Sequence, residues 1–137
     1  MENCIFCQIV KKEIPAKIVY EDDDFLAFLD INPNNPGHTL VIPKVHHEDL
    51  FTLPEDVLQK LSLVIKKVAL GVKQATKADG INLGMNNGSA AGQVIYHAHV
   101  HIIPRFKSDG LKHWPSQTVT EEEMSILQKE ITKKMTN

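Results

Sequence analysis

Three histidines at alternate positions, His97-Ala98-His99-Val100-His101, are the residues of this 137-residue chain whose type and spacing promise chemistry. On an extended strand, residues i, i+2 and i+4 face one way. The three imidazoles then form a row with neighbours roughly 6.6–7 Å apart, and Ala98, Val100 and Ile102 face a core. A strand showing polar residues to water is the plain alternative, but Thr, Lys or Glu usually serve that purpose. Imidazole is neutral, nucleophilic and able to shuttle protons near pH 7, so a row of three can divide those tasks. Three ligands on one metal ion would fit the same spacing. Just upstream, the polar, glycine-rich Asn86-Asn87-Gly88-Ser89-Ala90-Ala91-Gly92-Gln93 can expose many backbone N–H groups, which suits an anion.

The second chemical signal is Cys4-Ile5-Phe6-Cys7, which holds the only two cysteines in the sequence. A CxxC pair serves either redox chemistry or a metal. This one lacks the central Gly-Pro of thioredoxin-like pairs and follows no buried strand, so zinc leads over redox work, with two free thiols as the plain alternative. Asp30 ends a strand-like stretch, where its carboxylate can accept ribose hydroxyls or cap a turn before Pro33. Phe6, Ile9, Phe28 and Ile31 could sandwich a purine, and each is equally at home in a core.

These residues need a scaffold, and the chain reads as one mixed domain over residues 1–137. Strands are expected at Ile18–Tyr20, Phe25–Asp30, His38–Pro43, Ile81–Met85 and Ile95–Ile103, and a short helical turn between Cys4 and Lys12. Thr52-Leu53-Pro54-Glu55 has capping-box spacing. Val57, Leu58, Leu61, Ile65, Val68 and Val72 then recur at helical intervals, predicting a long helix that ends near Gly80. Thr120-Glu121-Glu122-Glu123 opens a C-terminal helix with Met124, Leu127 and Ile131 on one face. The fold class is α+β.

Composition supports one soluble globular domain, with 42% apolar and 23% charged residues. The formal charge of −2 offers no field toward nucleic acid or an anionic membrane. No basic stretch leads into an apolar segment at the start, and no run of eighteen apolar residues follows, so a cytoplasmic location is expected.

The His97–Ile103 stretch resembles the signature of the histidine triad (HIT) family of nucleotide hydrolases and transferases. The likeness continues through Cys4-Ile5-Phe6-Cys7, Phe28-Leu29-Asp30-Ile31-Asn32-Pro33, Pro36-Gly37-His38-Thr39-Leu40-Val41-Ile42-Pro43-Lys44 and Gly92-Gln93, in order and spacing. Together these point to the Hint-like branch that carries a zinc-binding CxxC. The resemblance implies a HIT fold: a five-stranded antiparallel sheet, one long helix and a C-terminal helix, paired in a homodimer.

The resemblance also implies a purine nucleotide substrate, with His99 attacking the α-phosphorus to give a covalent nucleotidyl-histidine. His101 would contact the phosphate, His97 would stand beside the nucleophile, and His38 would support the triad through a hydrogen bond. Asp30, Ile31 and Asn86 would meet the sugar and base, and Gly92, Gln93 and the Val94 N–H would meet the phosphate. Structural zinc would be held by Cys4, Cys7, His46 and His97, leaving His47 toward solvent. Adenosine 5′-monophosphoramidate is the expected substrate class. A dinucleoside polyphosphate hydrolase and a regulatory nucleotide-binding module are the alternatives. Val94 stands where the phosphoramidase-like branch often has serine, which puts leaving-group assistance in question. Trp114, after the triad strand, is exposed for either a substrate or a partner subunit.

Overall fold

The structure is a computed structural model that describes residues 3–135. Its elements, in chain order, are α1 (Ile5–Val10), β1 (Ile18–Glu21), β2 (Phe25–Leu29), β3 (Thr39–Pro43), α2 (Glu55–Thr76), β4 (Gly80–Gly84), β5 (Val100–Arg105) and α3 (Glu121–Met135). Single 3-10 turns lie at Leu50–Thr52 and Ser89–Ala91. The strands form one antiparallel sheet in the order β1-β2-β3-β5-β4, so β5 occupies an inner position between β3 and β4.

Alternation along the strands splits the apolar residues into two cores. Phe25, Ala27, Val41, Ala98, Val100 and Ile102 pack under Leu61, Val64 and Val68 of α2. Leu26, Phe28, Leu40 and Ile42 emerge on the opposite face and meet Phe6 and Ile9 of α1. β2 and β3 therefore contribute to both layers, and the histidine-bearing segment turns its Ala-Val-Ile side to α2 as its period-2 pattern requires.

The last strand differs from its sequence expectation of Ile95–Ile103. The hydrogen-bonded strand is Val100–Arg105, so only His101 of the three histidines belongs to it. Its two neighbours run out near that point. β3 pairs with β5 only through Val41↔Val100 and ends at Pro43, which has no N–H to continue the ladder, and β4 ends at Gly84↔His101. The preceding residues leave the ladder, with the chain bending at Ile95, Tyr96 and His97, and are tied elsewhere: the Ala98 N–H donates to the His47 carbonyl at 2.6 Å.

Two helix ends also differ. Thr52 does not cap α2, because it closes a capping box with Asp49 around the 3-10 turn: the Thr52 N–H donates to Asp49 Oδ1 at 3.1 Å and the Asp49 N–H to Thr52 Oγ1 at 3.2 Å. Pro54 then occupies the N-cap without a side-chain bond. At the other end α2 stops at Thr76 rather than near Gly80, since Lys77 takes a left-handed conformation at φ 59° and the Ala78 N–H returns to the Lys73 carbonyl. The capping box of α3 is present as expected, with the Glu123 N–H donating to Thr120 Oγ1 at 3.1 Å. Its face of Met124, Leu127 and Ile131 is more than half exposed.

Candidate active site

The three imidazoles take up two different tasks. His97 is fully buried, and its Nε2–H donates to the Pro43 carbonyl at 2.7 Å. That bond leaves the Nδ1 lone pair facing Cys4 Sγ at 3.4 Å and Cys7 Sγ at 3.6 Å. Cys7 Sγ also lies 3.4 Å from His46 Nδ1. One ligand atom from each of Cys4, Cys7, His46 and His97 falls within 4.8 Å of the others, a spread that one tetrahedral ion can span. The donor set fits zinc: two sulfurs, two imidazole nitrogens, and one imidazole whose other nitrogen is already engaged by a carbonyl. Burial, then the neighbouring Cys4, pushes the Cys7 thiol up, so thiolate here calls for a compensating cation. Because His97 turns to the cysteines, the three histidines do not converge on one shared ion.

His99 and His101 face a cavity of about 420 Å³ on the α1 side of the sheet. His99 is 8% exposed, and its Nδ1–H donates to the His97 carbonyl at 2.7 Å. The ring is thereby held with its Nε2 lone pair free, the form a nucleophile needs. Burial lowers the pKa of His99, keeping it neutral. Phe6 packs edge-on against His99 at 5.2 Å and His97 at 5.9 Å, so one aromatic ring braces both. The rings of His99 and His101 stand 5.0 Å apart.

His101 is half-buried, its pKa pushed down to about 4 chiefly by burial, with His99 and His38 adding to the effect. Its Nδ1 meets His38 Nε2 at 2.9 Å, and His38 Nε2 lies 3.6 Å from Asp30 Oδ2. His38 therefore stands behind His101 as a supporting ring and does not line the cavity. Asp30 does line it, and its other oxygen accepts the Asn32 N–H at 2.8 Å, so the carboxylate makes the turn cap and still reaches the cavity.

The remaining expected residues divide. Phe6, Ile9, Phe28, Ile31, Asn86, Gly92 and Val94 line the cavity, with Ile31 and Val94 exposed at its rim. Gln93 does not: its side chain is 5% exposed and wholly engaged. Nε2 donates to the Glu48 carbonyl at 2.7 Å and the Ile95 carbonyl at 3.2 Å, and Oε1 accepts the Gly88 N–H at 2.8 Å. Gln93 thus sets the shape of the loop, and Gly92 helps through a left-handed φ of 91° that tucks it against Asn86. His47 is half-buried rather than free in solvent, and its carbonyl anchors Ala98.

The backbone groups at Pro43, His97 and Asn34 that fix these rings carry no sequence signal. Their roles depend on which carbonyl or amide the register brings alongside a ring.

Buried neutral histidines have a cost in acid. His38, His99 and His101 all titrate below their ordinary value in the folded chain, so the unfolded chain binds more protons as pH falls below about 6.5. Stability is expected to fall from there down through about 4, where His101 protonates in the fold. Calorimetric Tm should be lower at pH 5 than at pH 8, and equal values would contradict the buried-neutral assignment.

The fold is a small α+β domain in which two of the three row histidines open on a cavity at one face of the antiparallel sheet. The HIT domain family matches residues 11–108, and the chain belongs to that family. A solved structure from Streptococcus mutans UA159, SMU.412c, superposes with a TM-score of 0.93 at 43% identity, covering 98% of this chain and 87% of that one. A zinc-bound histidine triad family protein from Mycobacterium smegmatis superposes with a TM-score of 0.77 at 36% identity, covering 98% and 97%. The Arabidopsis thaliana adenylylsulfatase HINT3 is 40% identical over 124 residues, which are 90% of this chain and 62% of that protein. Among the described residues, no helix is long and apolar enough to cross a membrane.

Proposed function

We propose that the protein cleaves purine nucleotide conjugates at the α-phosphate through a covalent nucleotidyl-His99 intermediate, with adenosine 5′-monophosphoramidates as its substrates. The observation that carries this reading is the His99 Nδ1–H bond to the His97 carbonyl, which presents a neutral imidazole lone pair beside an apolar cavity closed at one side by a carboxylate. Phe6 and Phe28 pack edge-on at 5.4 Å and so cannot sandwich a purine as the sequence suggested; with Ile9 they form a wall against which its ring lies, and the Asp30 carboxylate accepts ribose hydroxyls. Asn86, the Val94 backbone amide and His101 contact the phosphate, whereas the Gly92 and Gln93 N–H groups are spent on the Ser89 and Gly88 carbonyls and hold the loop's shape instead. Ile31 covers the sugar at the rim.

His99 Nε2 forms a bond to phosphorus as the bond to the leaving amine breaks, and the amine departs with the electron pair and takes up a proton from solvent. Water then displaces His99 Nε2, releasing the nucleoside monophosphate, restoring the neutral ring and returning one proton to solvent. Val94, an exposed apolar residue, gives a leaving group no proton. A second reading follows from this and from the adenylylsulfatase relative: adenylyl sulfate, whose departing sulfate needs no proton, is also cleaved. Zinc on Cys4, Cys7, His46 and His97 would be structural, a closed set of ligands that fixes the His97 backbone from which His99 hangs. The chain works as a homodimer, which the uncovered apolar face of α3 supports.

The test is intact-protein mass spectrometry after rapid alkaline quench of a single turnover with an adenosine phosphoramidate. A mass gain of one adenylyl group is expected. The absence of both adduct and AMP release would favour a binding module with little turnover.

A further inference from the structure

The His38 ring is 2% exposed and lies between two groups of fixed character. At Nδ1 it meets the main-chain N–H of Asn34, 3.0 Å away. A backbone amide only donates, so Nδ1 must accept, and the proton of the neutral ring must sit on Nε2. At Nε2 it meets His101 Nδ1 at 2.9 Å, with the Asp30 carboxylate at 3.6 Å on the same side. A carboxylate there suits a protonated Nε2 and opposes a bare lone pair. His101 Nδ1 therefore accepts from His38, which leaves the proton of neutral His101 on Nε2.

We propose that the Asn34 main-chain amide is a positioning group that acts through His38 to fix His101 as its Nε2–H tautomer. His101 is thereby a hydrogen-bond donor toward an anion in the cavity without needing to be charged. His101 lines that cavity and is held neutral by burial, so an uncharged donor is the form it must use at pH 7. The order of donation runs Asn34 N–H to His38, then His38 Nε2–H to His101.

The same three side chains, Asp30, His38 and His101, bring ligand atoms within 4.8 Å of one another and so resemble a cation site. The two uses are mutually exclusive. An ion would take the lone pairs of His38 Nε2 and His101 Nδ1, forcing the His38 proton onto Nδ1 and against the Asn34 N–H. The Asn34 amide thus reserves this trio for proton placement.

The consequence for phosphate contact rests on the proposed nucleotide reading, but the tautomers are read with no nucleotide present, so the two can fail separately. The experiment is long-range and cross-hydrogen-bond ¹⁵N NMR of histidine-labelled, zinc-loaded protein at neutral pH. One ring proton should be covalently attached to His38 Nε2 and coupled across the bond to His101 Nδ1, with both Nδ1 atoms unprotonated. Asn34→Pro, which deletes the amide proton, should move His38 Nδ1 toward its protonated shift and populate both tautomers of His101. His38→Gln, which places an amide N–H₂ where Nε2 stood, should keep His101 as Nε2–H. A proton covalently on His101 Nδ1 in the native protein would overturn the proposal, as would an Asn34→Pro spectrum unchanged at His38. Zinc titration that saturates with a second ion per chain, lost in Asp30→Asn, would overturn it too. Should Asn34→Pro fail to fold, the native spectrum decides alone.

Discussion

Substituting His99 by alanine is expected to lower turnover of an adenosine phosphoramidate by about 10⁴-fold or more while leaving nucleotide affinity within a few-fold of the native protein. The size of the loss follows from the role. A nucleophile cannot be replaced by its neighbours, and His101 is offset from it by a ring separation of 5.0 Å with its own Nδ1 engaged by His38. Affinity should survive because the apolar wall of Phe6, Ile9 and Phe28 and the Asp30 carboxylate do not depend on that ring. Phe6 does lose an edge contact to His99, so the comparison should include His99→Asn, which fills more of the space. Steady-state kinetics with nucleotide binding by calorimetry separates the two quantities. Substantial turnover in both variants would falsify the covalent mechanism.

The second large effect is expected at the cysteines. Cys7→Ser, or prolonged chelation, should remove about one zinc per chain and lower Tm on the order of 10 °C or more, because metal binding free energy at such a site becomes folding free energy. Cys7 is buried beside His97, and without a cation the site joins two thiols and two imidazoles that give one another little. Turnover should fall alongside stability, since the His97 carbonyl that orients His99 belongs to a proposed zinc ligand. Elemental analysis and calorimetry on the same preparation provide the check. Protein that is metal-free as purified, with an unchanged Tm in Cys7→Ser, rules out structural zinc.

Much of this was readable before any coordinates. The period-2 pattern of Ala98, Val100 and Ile102 correctly assigned one face to the core, and Leu61, Val64 and Val68 lie on the helix that covers it. The grouping of Cys4 and Cys7 with His46 and His97, distant in sequence, came from family resemblance rather than from spacing, and the fold brings them together. What the sequence concealed has a common cause. Thr52 has the right residue type for capping α2, yet Asp49 three residues earlier claims it first. Gln93 looks like a phosphate ligand in a glycine-rich loop, yet carbonyls at Glu48 and Ile95 take both its protons. The end of the last strand depended on Pro43, a residue of a different strand. In each case the decisive partner is a backbone group or side chain made adjacent by tertiary register, and one-dimensional patterning does not encode that adjacency.

The late start of β5, at Val100, loosens the histidine row. The histidine row straddles a mechanical seam: His101 belongs to a strand laddered on both sides, whereas His99 lies on chain outside the ladder held by scattered bonds. Amide protons on the two sides of that seam should report different opening events, those of the inner strand requiring loss of the whole sheet and those near residue 98 only a local detachment. His99, the proposed nucleophile, sits on the more easily detached side, so its alignment can be lost while the domain remains folded. The proposed zinc site, joining Cys4 and Cys7 to His46 and His97, would bring its lifetime in register close to that of the native state itself.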